Sequence, residues 1–153
     1  MNGNRNADWL ARALIVAMFA VAAWAWPSAP AQIPIHWNGA GQVNGYGPKA
    51  LGLILNPVVA LVGYTLIGLA PRFKPEQFDG PTRSALSWFR LTYALLMSGV
   101  FVVIVAAARG SNPNINYTLP LLALMMIAIA NLLVRTIRAR MGKTAPPGGG
   151  VRI

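Results

Sequence analysis

The chain has no cysteine, a single histidine (His36) and three acidic residues, Asp8, Glu76 and Asp79. The first absence excludes disulfides, thiolate metal sites and cysteine nucleophiles. One histidine without cysteines falls short of the three or four ligands that zinc takes. A Ser–His–Asp triad needs an acid beside its histidine, and the distribution of Lys and Arg maps all three acids to the cytoplasmic side, opposite His36. No cofactor, no metal and no enzymatic activity are expected. Charge is scarce: 10% of residues are Asp, Glu, Lys or Arg, against about a quarter in a soluble domain. What is plentiful is apolar. Residues of that kind make up 56% of the 153, and the mean hydropathy is +0.51. That leaves too little polar surface to coat a water-soluble particle. The expected class is an all-α integral membrane protein.

A membrane-spanning helix needs roughly 20 mostly apolar residues. Four stretches meet or approach this, at about 9–26, 50–70, 86–108 and 118–137, in one domain over 1–140 followed by a flexible tail over 141–153. Prolines punctuate them. Pro48 precedes the second stretch and Pro71 follows it; Pro120 falls in the first turn of the fourth, where its missing N–H costs nothing. Pro75, Gly80 and Pro81 read as turns before the third. Pro57 lies inside the second and should kink it, with Asn56 placed to bond a freed carbonyl. Asn131, near the end of the fourth, should bond a neighbouring helix or carbonyl.

Lysine and arginine counting gives an orientation. Arg5, Arg12, Arg72, Lys74, Arg83, Arg90, Arg135, Arg138, Arg140, Lys143 and Arg152 fall on one side, Lys49 and Arg109 on the other. Both termini are expected in the cytoplasm of a bacterial inner membrane, with the loops 27–49 and 109–117 outside. A cleaved signal peptide is the alternative for the first stretch, with Ala29-Pro30-Ala31 as the small-residue site. The basic run Arg135–Arg140 suits anionic lipid. No domain behind it would read nucleic acid, so the lipid bilayer is the expected partner.

The first outer loop, PSAPAQIPIHWNGAGQVNGYGPK, is the most informative segment. Ile33, Ile35 and Trp37 alternate with Pro34, His36 and Asn38, a strand-like period of two. Asn38-Gly39 and Asn44-Gly45 are turn dipeptides. A small extended or hairpin element is expected on the membrane surface. Lys49 stands at the start of a helix, where the dipole disfavours a cation. It is expected to contact lipid phosphate, the loop's own carbonyls or a ligand. His36, Trp37, Asn38 and Lys49 are therefore expected to form one surface, with Trp37 as anchor. Within the spans the polar residues are few and none is charged in mid-span, which lowers the case for a proton-coupled transporter.

The run Pro30-Ala-Gln-Ile-Pro-Ile-His-Trp-Asn38, followed by Gly41, Asn44-Gly45-Tyr46, Lys49 and Pro57, resembles the N-terminal module of Sdp-toxin immunity proteins. That module is a domain of unknown function. It pairs P-x-x-I-P-x-H-W/Y with G-x-x-[DN]-x-[YW]-x-x-K and a proline in the next helix. Pro71-Arg-Phe-Lys-Pro75 resembles the family's cytoplasmic loop. Asn131, Arg135–Arg140 and Gly142-Lys143-Thr144 resemble a later segment, with Lys143 in an arginine's place. Typical members continue into two more helices, so the likeness is to their first four. The resemblance implies a non-enzymatic protein that binds or protects against a membrane-active peptide toxin. The candidate binding residues are Pro34, His36, Trp37, Asn38 and Lys49, with Asn56, Pro57 and Asn131 in packing roles. The alternatives are an accessory subunit bound to a membrane-protein partner, or an oligomeric transporter. The family's namesake can also sequester a repressor at the membrane.

Overall fold

The computed structural model describes residues 4–144, with side chains described as far as Met141. Four helices, α1 (Arg5–Ala25), α2 (Asn56–Phe73), α3 (Gly80–Ala108) and α4 (Leu119–Thr144), carry most of the chain. Between α1 and α2 lie strands β1 (Gln32–Trp37) and β2 (Val43–Pro48), then a π-helical turn, Leu51–Leu55. Single 3₁₀ turns, Pro75–Gln77 and Ile115–Thr118, precede α3 and α4. All four helices, with the π turn counted into the second and the 3₁₀ turn into the fourth, are long and apolar enough to cross a membrane. The chain is a four-helix protein of membrane type with a small hairpin at one end.

Helix starts depart from the expected boundaries for local reasons. Asn4 caps α1 by accepting the Ala7 N–H at 3.2 Å, so that helix begins at Arg5 rather than near residue 9. Asp79 caps α3 by accepting the Thr82 N–H at 2.8 Å. Gly80 and Pro81 are therefore the first turn of α3 and not part of a loop; a proline is at home there because its N–H would be unpaired anyway. The third span accordingly starts six residues before the expected Leu86. Pro71 lies inside α2, which continues to Phe73. The kink expected at Pro57 takes a different form. Proline cannot bond the Leu53 carbonyl and its ring would strike it in a straight α-helix; here the preceding residues are wound as the π turn. α4 continues as helix to Thr144, so the basic stretch Arg135–Arg140 is helical. The remainder of the expected tail, 145–153, lies outside the described residues.

α3 is the hub. α1, α2 and α4 each pack against it, the first and last most extensively. α1 meets it along one stripe, Ala7, Ala11, Ile15, Met18, Ala22 and Ala25, whose small residues let the backbones approach. α4 stands at the margin, and none of its most apolar window is buried. Asn131 illustrates this. It is exposed, and its Oδ1 accepts from Arg135 Nε at 2.8 Å, one turn along the same helix, not from a neighbouring helix as expected. Asn131→Leu should therefore change detergent unfolding by less than about 0.5 kcal/mol. A loss of about 2 kcal/mol would show an interhelical bond.

At the end of the bundle holding the termini, a polar knot joins three helices. Arg90 Nη1 pairs with Asp8 Oδ1 at 2.8 Å, with the side chains 15% and 21% exposed. Ser87 Oγ donates to the other Asp8 oxygen at 3.0 Å. Arg90 also stacks on the Tyr64 ring at 3.7 Å, and the Tyr64 hydroxyl accepts from Arg12 Nε at 3.1 Å. Sequence reading placed Arg90 near the mouth of its helix; with α3 starting at Gly80 it sits about three turns in, where a cation needs a partner.

Candidate functional site

The hairpin closes the opposite end. β1 and β2 pair antiparallel, Gln32 with Pro48, Ile33 with Gly47 and Pro34 with Tyr46, then His36 with Gly45 and Trp37 with Val43. Ile35 is thus an extra residue on β1 and Asn44 an extra one on β2. These two bulges break the expected alternation: Ile33 and its neighbour Pro34 are both buried, Ile35 is half-buried and His36 is exposed. Gly52 has no side chain to keep Ile33 and Ile104 away; a Cβ there would stand 2.6 and 2.9 Å from them. The hairpin consequently seats directly on the π turn and α3.

The expected binding residues separate into distinct roles. Asn38 builds the hairpin turn: its Oδ1 accepts the N–H groups of Ala40 and Gln42, both at 3.0 Å. Gly41, at φ +80°, passes so close to Asn114 that any Cβ would overlap that side chain. Asn114 Nδ2 donates to the Ala40 carbonyl at 3.1 Å, and the Ile115 N–H to the Gly41 carbonyl at 3.2 Å. The hairpin tip is thereby stitched to the second loop. Lys49 lies at the other end of the hairpin, beside the Gln32–Pro48 pair. Its Nζ donates to the carbonyls of Trp26 at 2.9 Å and Ala29 at 3.4 Å and rests 4.6 Å from the Trp26 ring centre. The cation thus serves the carbonyl-rich exit of α1, which offsets its position at the start of a helix. The single surface expected of His36, Trp37, Asn38 and Lys49 does not form, because Lys49 and the hairpin tip are at opposite ends of the strands.

What does form is a cleft of about 460 Å³ against the hairpin. One wall is Ile35, His36 and Trp37. A second is Leu51, Gly52, Leu55, Asn56 and Val59, and a third is Met97, Val100 and Ile104 of α3, with Ile115 above. The lining is overwhelmingly apolar. Two of the lining residues carry a buried polar atom without a partner, Trp37 Nε1 and Asn56 Oδ1. The carbonyl bond expected of Asn56 is absent. His36 is at the rim, its Nδ1 held by Asn44 Oδ1. An orphaned buried donor or acceptor costs roughly 1–3 kcal/mol, and such groups are rare enough in folded proteins to need an explanation. Here two residues lining one apolar cleft each carry such an atom, beside a π turn, a distortion frequent at functional sites. Sequence reading singled out both residues but could not bring them together.

Residues 13–61 match the model of a family described as a domain of unknown function (DUF1648). The match takes in most of α1, the hairpin, the π turn and the start of α2, and with them two of the three walls of the cleft. No curated protein and no solved structure gives a match.

Proposed function

We propose that this is a non-enzymatic membrane protein that captures a membrane-active peptide in the hairpin-end cleft, and so protects the cell as the Sdp immunity proteins it resembles do. The supporting observation is the orphaned pair. A peptide group presents a carbonyl for Trp37 Nε1–H and an N–H for Asn56 Oδ1, while apolar side chains suit Leu51, Leu55, Val59, Met97 and Ile104. The test compares the sensitivity of cells carrying the parent or Trp37→Phe/Asn56→Leu to a membrane-active peptide. Both substitutions remove an unbonded polar atom and keep an apolar body, so insertion and expression should be unchanged. Protection should fall at least tenfold, in keeping with two lost buried hydrogen bonds. Equal protection by parent and variant would remove the cleft from the function.

This reading places the cleft outside the cell. The described cations divide between the two ends of the bundle, with Lys49 and Arg109 alone at the hairpin end among the described residues, each stacked on a tryptophan. With the positive-inside rule, this distribution supports termini that face the cytoplasm. Reporter fusions after Ile153 and within Asn38–Gly45 should report opposite sides, and a cytoplasmic signal from the hairpin would reverse the assignment. The alternative of an accessory subunit draws on α4, which packs chiefly against α3 and buries none of its most apolar window. It would show as a fixed membrane partner that co-purifies and is lost on substitution along α4.

A further inference from the structure

The opposite end of the bundle carries a second recess, of about 480 Å³, between the start of α3 and the last turns of α4. It is unlike the cleft, with polar and apolar lining in similar measure: Asp79, Pro81 and Thr82 on one side, Asn131, Arg135 and Arg138 among those on the other. Three features converge there. The first is the amino-terminal turn of a 29-residue helix, whose dipole favours an anion, although its Thr82 and Arg83 N–H groups are already taken by Asp79 and Pro81 has none. The second is a pair of guanidinium groups one turn apart; Arg135 uses Nε on Asn131, which leaves its Nη groups to a ligand. The third is Thr82, 1% exposed, whose Oγ1 is buried without a hydrogen-bond partner. The acid in the lining, Asp79, is engaged as the cap of α3 through its Oδ1.

We infer that this recess binds a phosphate group, held by Arg135 and Arg138 with Thr82 Oγ–H as a buried donor. The phosphate would come from the headgroup of an anionic lipid or from free phosphate. The site is independent of the peptide cleft. Apolar surface on α4 flanks it at Val134 and Ala139, which suits a headgroup whose tails continue along the helix.

The full chain, purified in detergent doped with equal phosphatidylglycerol and phosphatidylcholine, would be assayed for retained lipid by native mass spectrometry. A parallel titration with inorganic phosphate would be followed by thermal shift. Phosphatidylglycerol should be retained about fivefold over phosphatidylcholine, and Arg135→Gln/Arg138→Gln should abolish the preference. Thr82→Val should weaken it about threefold while leaving the anion-free protein as stable or more so, since the hydroxyl it removes is unpaired. Arg5→Gln/Arg72→Gln, the same change in charge elsewhere, should leave it intact. A phosphate-induced shift with the same sensitivity to the variants, but no preference among lipids, would identify free phosphate as the ligand of this site. Retention and thermal shift that are equal in the parent and the arginine variant, or lost equally in the Arg5/Arg72 control, would overturn the site. Full retention in Thr82→Val would reduce it to a charged surface and also overturn it.

Discussion

Asp8→Ala is expected to destabilise the helix bundle by about 3 kcal/mol, towards the lower part of the range for breaking a buried ion pair because both partners keep some exposure. The substitution leaves the Arg90 guanidinium between α1, α2 and α3 with its counter-charge gone, and strips Ser87 Oγ of its cross-helix acceptor. Arg90→Leu should cost a comparable amount by stranding Asp8. The double variant Asp8→Ala/Arg90→Leu should recover most of the loss, since replacing both charges by apolar groups of similar volume is often close to neutral. Unfolding of all four proteins in detergent forms the cycle. A coupling energy below about 0.5 kcal/mol would put the pair in the class of exposed surface bridges. Arg90→Lys should fall between, because an ammonium cannot both pair with Asp8 and lie flat on Tyr64.

Gly41→Ala should cost about 2–4 kcal/mol, and it should act locally. Holding a residue with a Cβ at φ +80° costs of order 1–2 kcal/mol. The new methyl also displaces Asn114, and with it the bonds from Asn114 Nδ2 to Ala40 and from Ile115 N to Gly41, each worth about 1 kcal/mol. Amide exchange should accelerate at Gly41 and Ile115 and remain unchanged in the α1–α3 interface. Asn114→Ala alone should cost only about 1 kcal/mol, and Gly41→Ala in that background should still carry the backbone term. A neutral Gly41→Ala would mean that the two loops are not joined.

The apolar spans were legible because the membrane imposes length and composition on each helix separately. The hairpin was legible because Asn38-Gly39 is a turn signal that needs no distant partner. Its two bulges were not, because Ile35 and Asn44 are extra only relative to each other. The start of α3 was misjudged because Gly80 and Pro81 were weighed as breakers without the cap supplied by Asp79. Of the partners expected for Lys49, a carbonyl of its own loop is met at Ala29, while Trp26 at the exit of α1 supplies a second that sequence proximity does not suggest. The cleft was least visible of all. Trp37, Asn56, Met97 and Ile115 are scattered over much of the chain, and only packing makes them neighbours. These findings also change how the hairpin should be probed. Replacing His36, Asn38 and Lys49 together would dismantle the turn and the α1 exit, so loss of activity in that variant could not identify a binding surface. Trp37 Nε1 and Asn56 Oδ1, by contrast, hold no bond that the fold depends on.

The position of α3 as hub bears on how the protein is made. It leaves the ribosome after α1 and α2, yet both depend on it. When α1 enters the bilayer its alanine stripe has little to pack on, for its contact with α2 is slight, and Asp8 faces a wait of more than 80 residues of synthesis before Arg90 arrives. An aspartate in the first turn of α1 can pass that interval in the headgroup region. Chains arrested before Arg90 should therefore leave α1 and α2 only loosely associated and open to quality-control proteases, with resistance appearing abruptly once α3 is inserted.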